Sequence, residues 1–306
     1  MYNEHFGLNE QPFGLTPDTH FFLNAQGYKE AFNMLQVALA NGEGFIKVVG
    51  EVGTGKTMLC RKLLNTLDDN YHTAYIPNPY LNPEELYRAI EGELKTAPVL
   101  NAQDSVLPEV QAYLNDVVDG VSHPCESAHD YQKSINAKLI ELVAQGKQVV
   151  LVVDEAQALS EEALEALRLI SNLETEKTKL IHIVLFGQPE LDVLLERKSI
   201  RQLKQRITFS FDLPALDKEG TRNYISHRAA TAGYNGGALF TEKSLALIYK
   251  STNGVPRLIN ILCHKALMVA YGKGSPQVDR PHLEAAIKDT DGVKMPAWFC
   301  RLEWSF

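Results

Sequence analysis

Apolar residues recur along this chain in two registers, and the change from one to the other marks out its architecture. Residues 28–40 place Ala31, Phe32, Leu35, Ala38 and Leu39 on one side at helical spacing, and Asn41-Gly42 closes the segment. A short apolar run over 45–49 predicts a strand, followed by helical spacing over 57–67 and a second strand over 73–76. The stretch 83–94 predicts a helix that opens on Pro83 with acidic residues behind it. A helix over 131–145 leads into a continuous apolar run over 149–153, the pattern of a parallel strand buried on both faces. An amphipathic helix over 161–173, a strand over 180–186 and an alternating last strand over 207–213 complete this part. From Pro214 the strands stop, and 218–231, 242–250, 256–271 and 280–289 all carry helical spacing.

Strands that alternate with helices imply an α/β fold, a parallel sheet with helices on both faces. The expected division is an α/β domain over 1–213, a small all-helical lid over 214–290 and a tail over 291–306. The first 25 residues, rich in Pro, Gly, Asn and aromatics, are expected to form an ordered arm. Residues 96–128 hold three prolines and no sustained period, and are expected to be an insertion.

The chemistry concentrates at strand ends. Gly50-Glu51-Val52-Gly53-Thr54-Gly55-Lys56-Thr57 matches G-x-x-x-x-G-K-[ST] and falls between a predicted strand and a predicted helix. The glycines let backbone N–H groups curl around a phosphate, Lys56 supplies a point charge and Thr57 a hydroxyl for Mg²⁺. A chain of this length matches by chance in roughly one case in a hundred, and the strand–loop–helix context removes most of those. The apolar run 149–153 ends in Asp154-Glu155. Asp154 suits the water shell of Mg²⁺, and Glu155 suits the polarising of an attacking water. Gln188 follows the strand 180–186, which should lie near the first and third strands, and its amide could reach a γ-phosphate or stand as a plain turn residue before Pro189. Arg201, Lys204 and Arg206 cluster before the last strand, as a solvated face or as a source of an arginine finger for a neighbouring subunit. Arg257 follows Pro256 at a helix start, where a cation gains nothing from the helix dipole, and reads as a plain surface arginine or as one with another partner, such as a phosphate.

Composition narrows the partners. The formal charge of −8 removes the global electrostatic footprint of a nucleic-acid binder and leaves only a local basic patch for that role. The four cysteines, Cys60, Cys125, Cys263 and Cys300, are widely spaced and read as reduced thiols of a cytoplasmic protein. No signal pattern and no apolar stretch of membrane-spanning length is present.

Together these residues resemble the AAA+ ATPases, and within them the general secretion pathway protein A group with its MSHA-pilus biogenesis members. The resemblance runs over about residues 1–290. It rests on Phe6-Gly7-Leu8, Pro12-Phe13 and Thr16-Pro17-Asp18, the loop 50–57, Val153-Asp154-Glu155-Ala156-Gln157, Gly187-Gln188-Pro189-Glu190-Leu191, Gln205-Arg206-Ile207 and Gly254-Val255-Pro256-Arg257-Leu258-Ile259-Asn260. It implies a P-loop AAA+ core followed by the helical lid. Lys56 and Thr57 then belong to Walker A, Asp154 and Glu155 to Walker B, with Gly50 to Met58 holding the nucleotide. Gln188 stands at the sensor-1 position, where AAA+ proteins commonly have Asn, Ser or Thr. Arg206 matches an arginine finger with Arg201 in reserve, Arg257 matches sensor 2, and the surroundings of Phe6 and Phe13 would wrap an adenine.

The resemblance further implies ATP and Mg²⁺ as ligands, a homo-oligomer such as a hexameric ring, and pilus or secretion machinery proteins as partners, with any membrane contact made through them. The membrane helix and peptidoglycan-binding region of longer group members are outside it. The function expected is ATP hydrolysis that drives or regulates assembly of a type IV (MSHA-like) pilus or a type II secretion machine. The alternatives are a DNA-binding AAA+ ATPase of the transposition-helper kind and a nucleotide-gated scaffold with little turnover. The tail, with Trp298, Phe299, Trp304 and Phe306, matches no pattern and is expected to dock on a partner, another subunit, the membrane surface or the lid.

Overall fold

The computed structural model describes residues 2–96, 127–173 and 179–295. Most of the expected 96–128 insertion, the tail beyond residue 295, Cys125 and Cys300 lie outside the described residues. Contacts sort the chain into two units. One comprises Glu30–Gly50 and Leu59–Asp212, the other Met1–Lys29, Glu51–Met58 and Leu213–Phe306.

The first unit is built on five parallel strands, β1 (Phe45–Val49), β2 (Tyr71–Ile76), β3 (Gln148–Val153), β4 (His182–Gly187) and β5 (Ile207–Asp212), in the order β2-β3-β4-β1-β5. The strand over 180–186 was expected near the first and third, and β4 does lie between β3 and β1. Burial follows position in the sheet. All of β4 and every residue of β3 after Gln148 are buried, whereas β2 and β5 at the edges alternate between the two faces. That is why 149–153 is continuously apolar and 207–212 alternates: a central parallel strand is covered on both sides, an edge strand is not.

Helices α4 (Pro83–Lys95), α5 (Ala128–Ala144) and α6 (Glu161–Ile170) cover one face. Their Leu86, Ile90, Ile135, Leu139, Leu164 and Leu167 join a single apolar cluster with Val149, Leu151, Ile183 and Leu185 of the strands. The alternate strand residues Ile46, Val48, Val150, Val152 and Val184 face the other way and are also fully buried. Local signals set the helix starts: Asn82 and Glu85 form a reciprocal cap with Pro83 in the first turn, and the Ser160 hydroxyl accepts from the Ala163 N–H at 3.1 Å. The short helices α7 (Glu190–Leu195) and α8 (Arg201–Lys204) were not anticipated, because each has too few residues to show a helical period.

The second unit joins the arm, the phosphate-type loop and the helices α9 (Lys218–Thr231), α10 (Glu242–Thr252), α11 (Pro256–Gly272) and α12 (Arg280–Lys288). The arm carries α1 (Tyr2–Phe6) and is ordered by contacts with these helices. The Asn9 N–H donates to the Ala232 carbonyl at 2.8 Å, Asn260 donates to the Gly14 carbonyl at 3.2 Å, and Phe13 meets Phe240 edge-to-face. Asn253 and Gly254, both in the left-handed region, separate α10 from α11, whose first turn begins at Pro256. Two further helices bridge the units along the chain, α2 (Gln26–Ala40) and α3 (Lys56–Leu64).

Candidate active site

Three strand ends meet at the carboxyl edge of the sheet. β1 ends at Val49, and the next residue, Gly50, donates its N–H to the carbonyl of Gly187 at the end of β4 at 3.1 Å. The loop that follows Gly50 therefore leaves the sheet beside β4. On the other side of β4, β3 ends at Val153, and the Asp154 N–H continues the ladder onto the Ile76 carbonyl at 2.9 Å. In parallel α/β sheets this edge, outside the carboxyl ends of the strands, is where ligands bind.

Asp154 is 2% exposed. Its Oδ1 accepts from the Glu155 N–H at 2.9 Å, and Glu155 itself has φ 51° and ψ 38°. A left-handed non-glycine residue costs on the order of 1 kcal/mol, and such strain persists where the surroundings fix it. Here two amides fix it: Gln157 Nε2 and Gln188 Nε2 donate to Glu155 Oε2 at 2.6 and 2.8 Å. The Gln188 backbone N–H in turn donates to Gln157 Oε1 at 3.0 Å. The structure thus brings Asp154, Glu155 and Gln188 together and adds Gln157, which the sequence offered only as part of a motif phrase.

Burial, reinforced by the nearby Asp154 charge, pushes the Cys60 thiol well above its usual range, and Tyr75, hydrogen-bonded to Cys60, is raised chiefly by burial as well. Cys60 therefore stays a protonated, inert thiol. Among the described residues no group of His, Cys, Asp and Glu has the clustering of a protein-only metal site.

The loop itself is held by its own atoms and by neighbours within the second unit. The Glu51 carbonyl accepts from Lys56 Nζ at 3.0 Å, from Thr54 Oγ1 at 2.8 Å and from the Thr54 N–H at 3.2 Å. Gly53 and Gly55 have φ 81° and 96°, conformations that turn successive N–H groups inward and that other residues resist. The Tyr28 hydroxyl donates to the Thr54 carbonyl, and a side chain on Gly55 would meet that hydroxyl at 2.6 Å. The Gly53 carbonyl accepts from the Arg257 N–H at 3.2 Å, so the first turn of α11 docks on the loop. Lys56 begins α3, with Thr57 and Met58 in its first turn, and a helix N-terminus favours an anion. The exposed Glu51 and Val52 form the crown of the loop.

The remaining expectations fall elsewhere. Arg206 stands at the opposite, amino edge of the sheet, just before Ile207, which pairs with Phe45 at the start of β1. One strand of this length separates it from Gly50 by about 16 Å. Arg206 is half-buried and its Nη1 donates to Ser171 Oγ at 3.2 Å, while Arg201 is exposed. Phe6 and Phe13 are buried, the first against Tyr2 and His5 and the second against Phe240, so both rings are already packed. Tyr28 had no sequence signal, since its partner lies 26 residues away.

The family model described as an AAA domain matches residues 39–195, just over half of the chain. The chain belongs to the AAA family. This AAA protein is 35% identical to general secretion pathway protein A of Aeromonas hydrophila over 294 residues, which span 96% of the chain but 49% of that relative. The resemblance to the general secretion pathway protein A group therefore holds, over about half of that relative's length. Among solved structures, Cdc6p of Pyrobaculum aerophilum superposes with a TM-score of 0.63 at 19% identity, over 89% of this chain and 70% of that one. The ORC2 protein of Aeropyrum pernix gives 0.60 at 15% identity, over 95% and 75%. These two likenesses bear out the P-loop AAA+ fold class. No helix among the described residues is long and apolar enough to cross a membrane.

Proposed function

We propose that this AAA protein hydrolyses ATP, with Glu155 as the base that orients the attacking water. The observation that carries the reading is the Glu155 carboxylate at the tip of β3, held by the Gln188 amide from the tip of β4, at the sheet edge where the loop departs from β1. A carboxylate held by an amide at 2.8 Å suits the orienting of water for in-line attack, and the glycines of the loop let N–H groups face a phosphate. In this reading Gly50 to Met58 hold the phosphates and Lys56 releases the Glu51 carbonyl to meet their charge. Arg257, at the start of α11, senses the same phosphates from the lid. Mg²⁺ would neutralise charge on the nucleotide, and the oxygens of Thr57 and Asp154 have the hard chemistry to hold it.

Arg206 cannot serve its own Glu155 from the far edge of the sheet, so its use as an arginine finger requires a second subunit and hence a homo-oligomer. The division into an α/β core over 1–213, a lid over 214–290 and a tail over 291–306 is kept as a functional proposal, although contacts group the arm and the loop 51–58 with the helices after Leu213. The likeness to general secretion pathway protein A supports work on a secretion machine, and a type IV pilus machine as the load, a place in the cytoplasm and membrane contact only through partners belong to the same proposal. No observation in the site favours the DNA-binding reading, and a net charge of −8 opposes it. The test is phosphate release by purified protein with Mg²⁺-ATP, alongside Lys56→Ala and a DNA-binding titration across salt concentrations. Turnover that requires Lys56, without salt-sensitive DNA binding, supports the proposal. Absent turnover, or DNA binding with a steep salt slope, contradicts it.

A further inference from the structure

We propose that Gln157 is a positioning residue for hydrolysis, which locks the Glu155 carboxylate and the end of β4 into one hydrogen-bonded unit; this rests on the reading of Glu155 as the base. Gln157 uses both ends of its amide. Nε2 donates to Glu155 Oε2 at 2.6 Å, and Oε1 accepts from the Gln188 backbone N–H at 3.0 Å. The Gln188 side chain closes the ring with its own bond to the same Oε2 at 2.8 Å. Both donors converge on Oε2, and among the described residues Glu155 Oε1 accepts no hydrogen bond, which leaves that oxygen to take a proton from water.

The two donors have different duties. If the Gln188 amide turns toward a γ-phosphate, Glu155 loses one of its two donors, and Gln157 alone keeps the carboxylate aimed. Its anchor is the backbone of Gln188 rather than a mobile side chain, so the aim survives that turn. The same peptide region is tied to the loop, because the Gly187 carbonyl accepts from the Gly50 N–H at 3.1 Å. A continuous path of hydrogen bonds therefore runs from the base of the loop through the end of β4 and Gln157 to Glu155. Gly187 also makes room for it: a side chain there would meet Leu191 Cδ2 at 2.7 Å and Gln157 Oε1 at 3.4 Å. The left-handed backbone of Glu155 fits the same picture, since the strained conformation presents its carboxylate to both amides.

The test compares Gln157→Met, which keeps length and removes both hydrogen bonds, with Gln157→Glu, which keeps the acceptor for Gln188 and removes the donor. Steady-state ATPase kinetics and nucleotide affinity are measured for the full chain. Both variants should lose kcat by about 10- to 100-fold, as expected for one hydrogen bond to a charged group, with KM and ATP affinity within about twofold of the parent. Unchanged kcat in either variant overturns the proposal, as does a loss that appears equally in affinity, which would mark a merely structural role. Glu155→Gln is run beside them. If it still turns over, the reading of Glu155 fails; if it is inactive while Gln157→Met is fully active, only the role of Gln157 fails.

Discussion

Replacing Gly53 by alanine perturbs the loop at the atom where it meets α11. Gly53 has φ 81°, and its added Cβ would stand 2.6 Å from Arg257 Cβ and 3.3 Å from Arg257 Cδ and Val255 Cγ1. The left-handed backbone costs alanine roughly 1–2 kcal/mol. The clash is with a Cβ, which cannot swing aside as a side-chain tip can, and overpacking of that kind costs about 1–3 kcal/mol more. Relief requires the loop and the first turn of α11 to separate, with loss of the hydrogen bond from the Arg257 N–H to the Gly53 carbonyl. If most of that energy falls on the nucleotide-binding conformation, ATP affinity should drop by at least about 30-fold, at roughly 1.4 kcal/mol per tenfold. Gly42→Ala is the internal control, because φ is 75° but nothing lies within 4 Å of its added Cβ. It should lose about 1 kcal/mol of stability and no affinity. Titration with a fluorescent ATP analogue, paired with chemical denaturation of both variants, separates the two effects. Wild-type affinity in Gly53→Ala would refute the view that the contact between loop and α11 shapes the binding loop.

Other outcomes follow from the same geometry. Tyr28→Phe removes the donor to the Thr54 carbonyl and should weaken ATP binding by about 5- to 10-fold, checked by the same titration; no change would show that the loop holds its shape unaided. Arg206→Ala should abolish turnover alone and recover part of it when mixed with Glu155→Gln subunits, and the absence of rescue would count against a finger that acts between subunits. Burial pushes His182, His72 and His264 below the ordinary value of 6.5, so the folded chain binds fewer protons than the unfolded one just below that pH. Stability should be full above about pH 6.5 and fall as the pH drops toward the lower folded values; urea unfolding at pH 7.5 and 5.5 measures this, and equal or greater stability at 5.5 would contradict it.

Much of this architecture was legible because the signals were local. The central strands are continuous apolar runs since both of their faces are covered, and Asn82, Pro83, Asn253, Gly254 and Pro256 punctuate helices by their own backbone chemistry. The loop and Asp154-Glu155 were readable because a phosphate site needs glycines, a lysine and strand-end carboxylates in fixed succession. What escaped was the support. Gln157 bonds to a residue 31 positions away and Tyr28 to one 26 away, and no periodicity encodes such pairings. The placement of Arg206 at the amino edge also needed the strand register, since sequence position alone does not say which end of the sheet a residue occupies.

The central claim is that Glu155 activates water while the loop binds the nucleotide independently. Glu155→Gln keeps the length of the side chain and removes its negative charge. The direct measurement is ATP affinity and phosphate release by this variant in one preparation. The account predicts ATP affinity within about twofold of the parent and turnover reduced by at least about 100-fold. Substantial turnover in Glu155→Gln, at unchanged affinity, would contradict it.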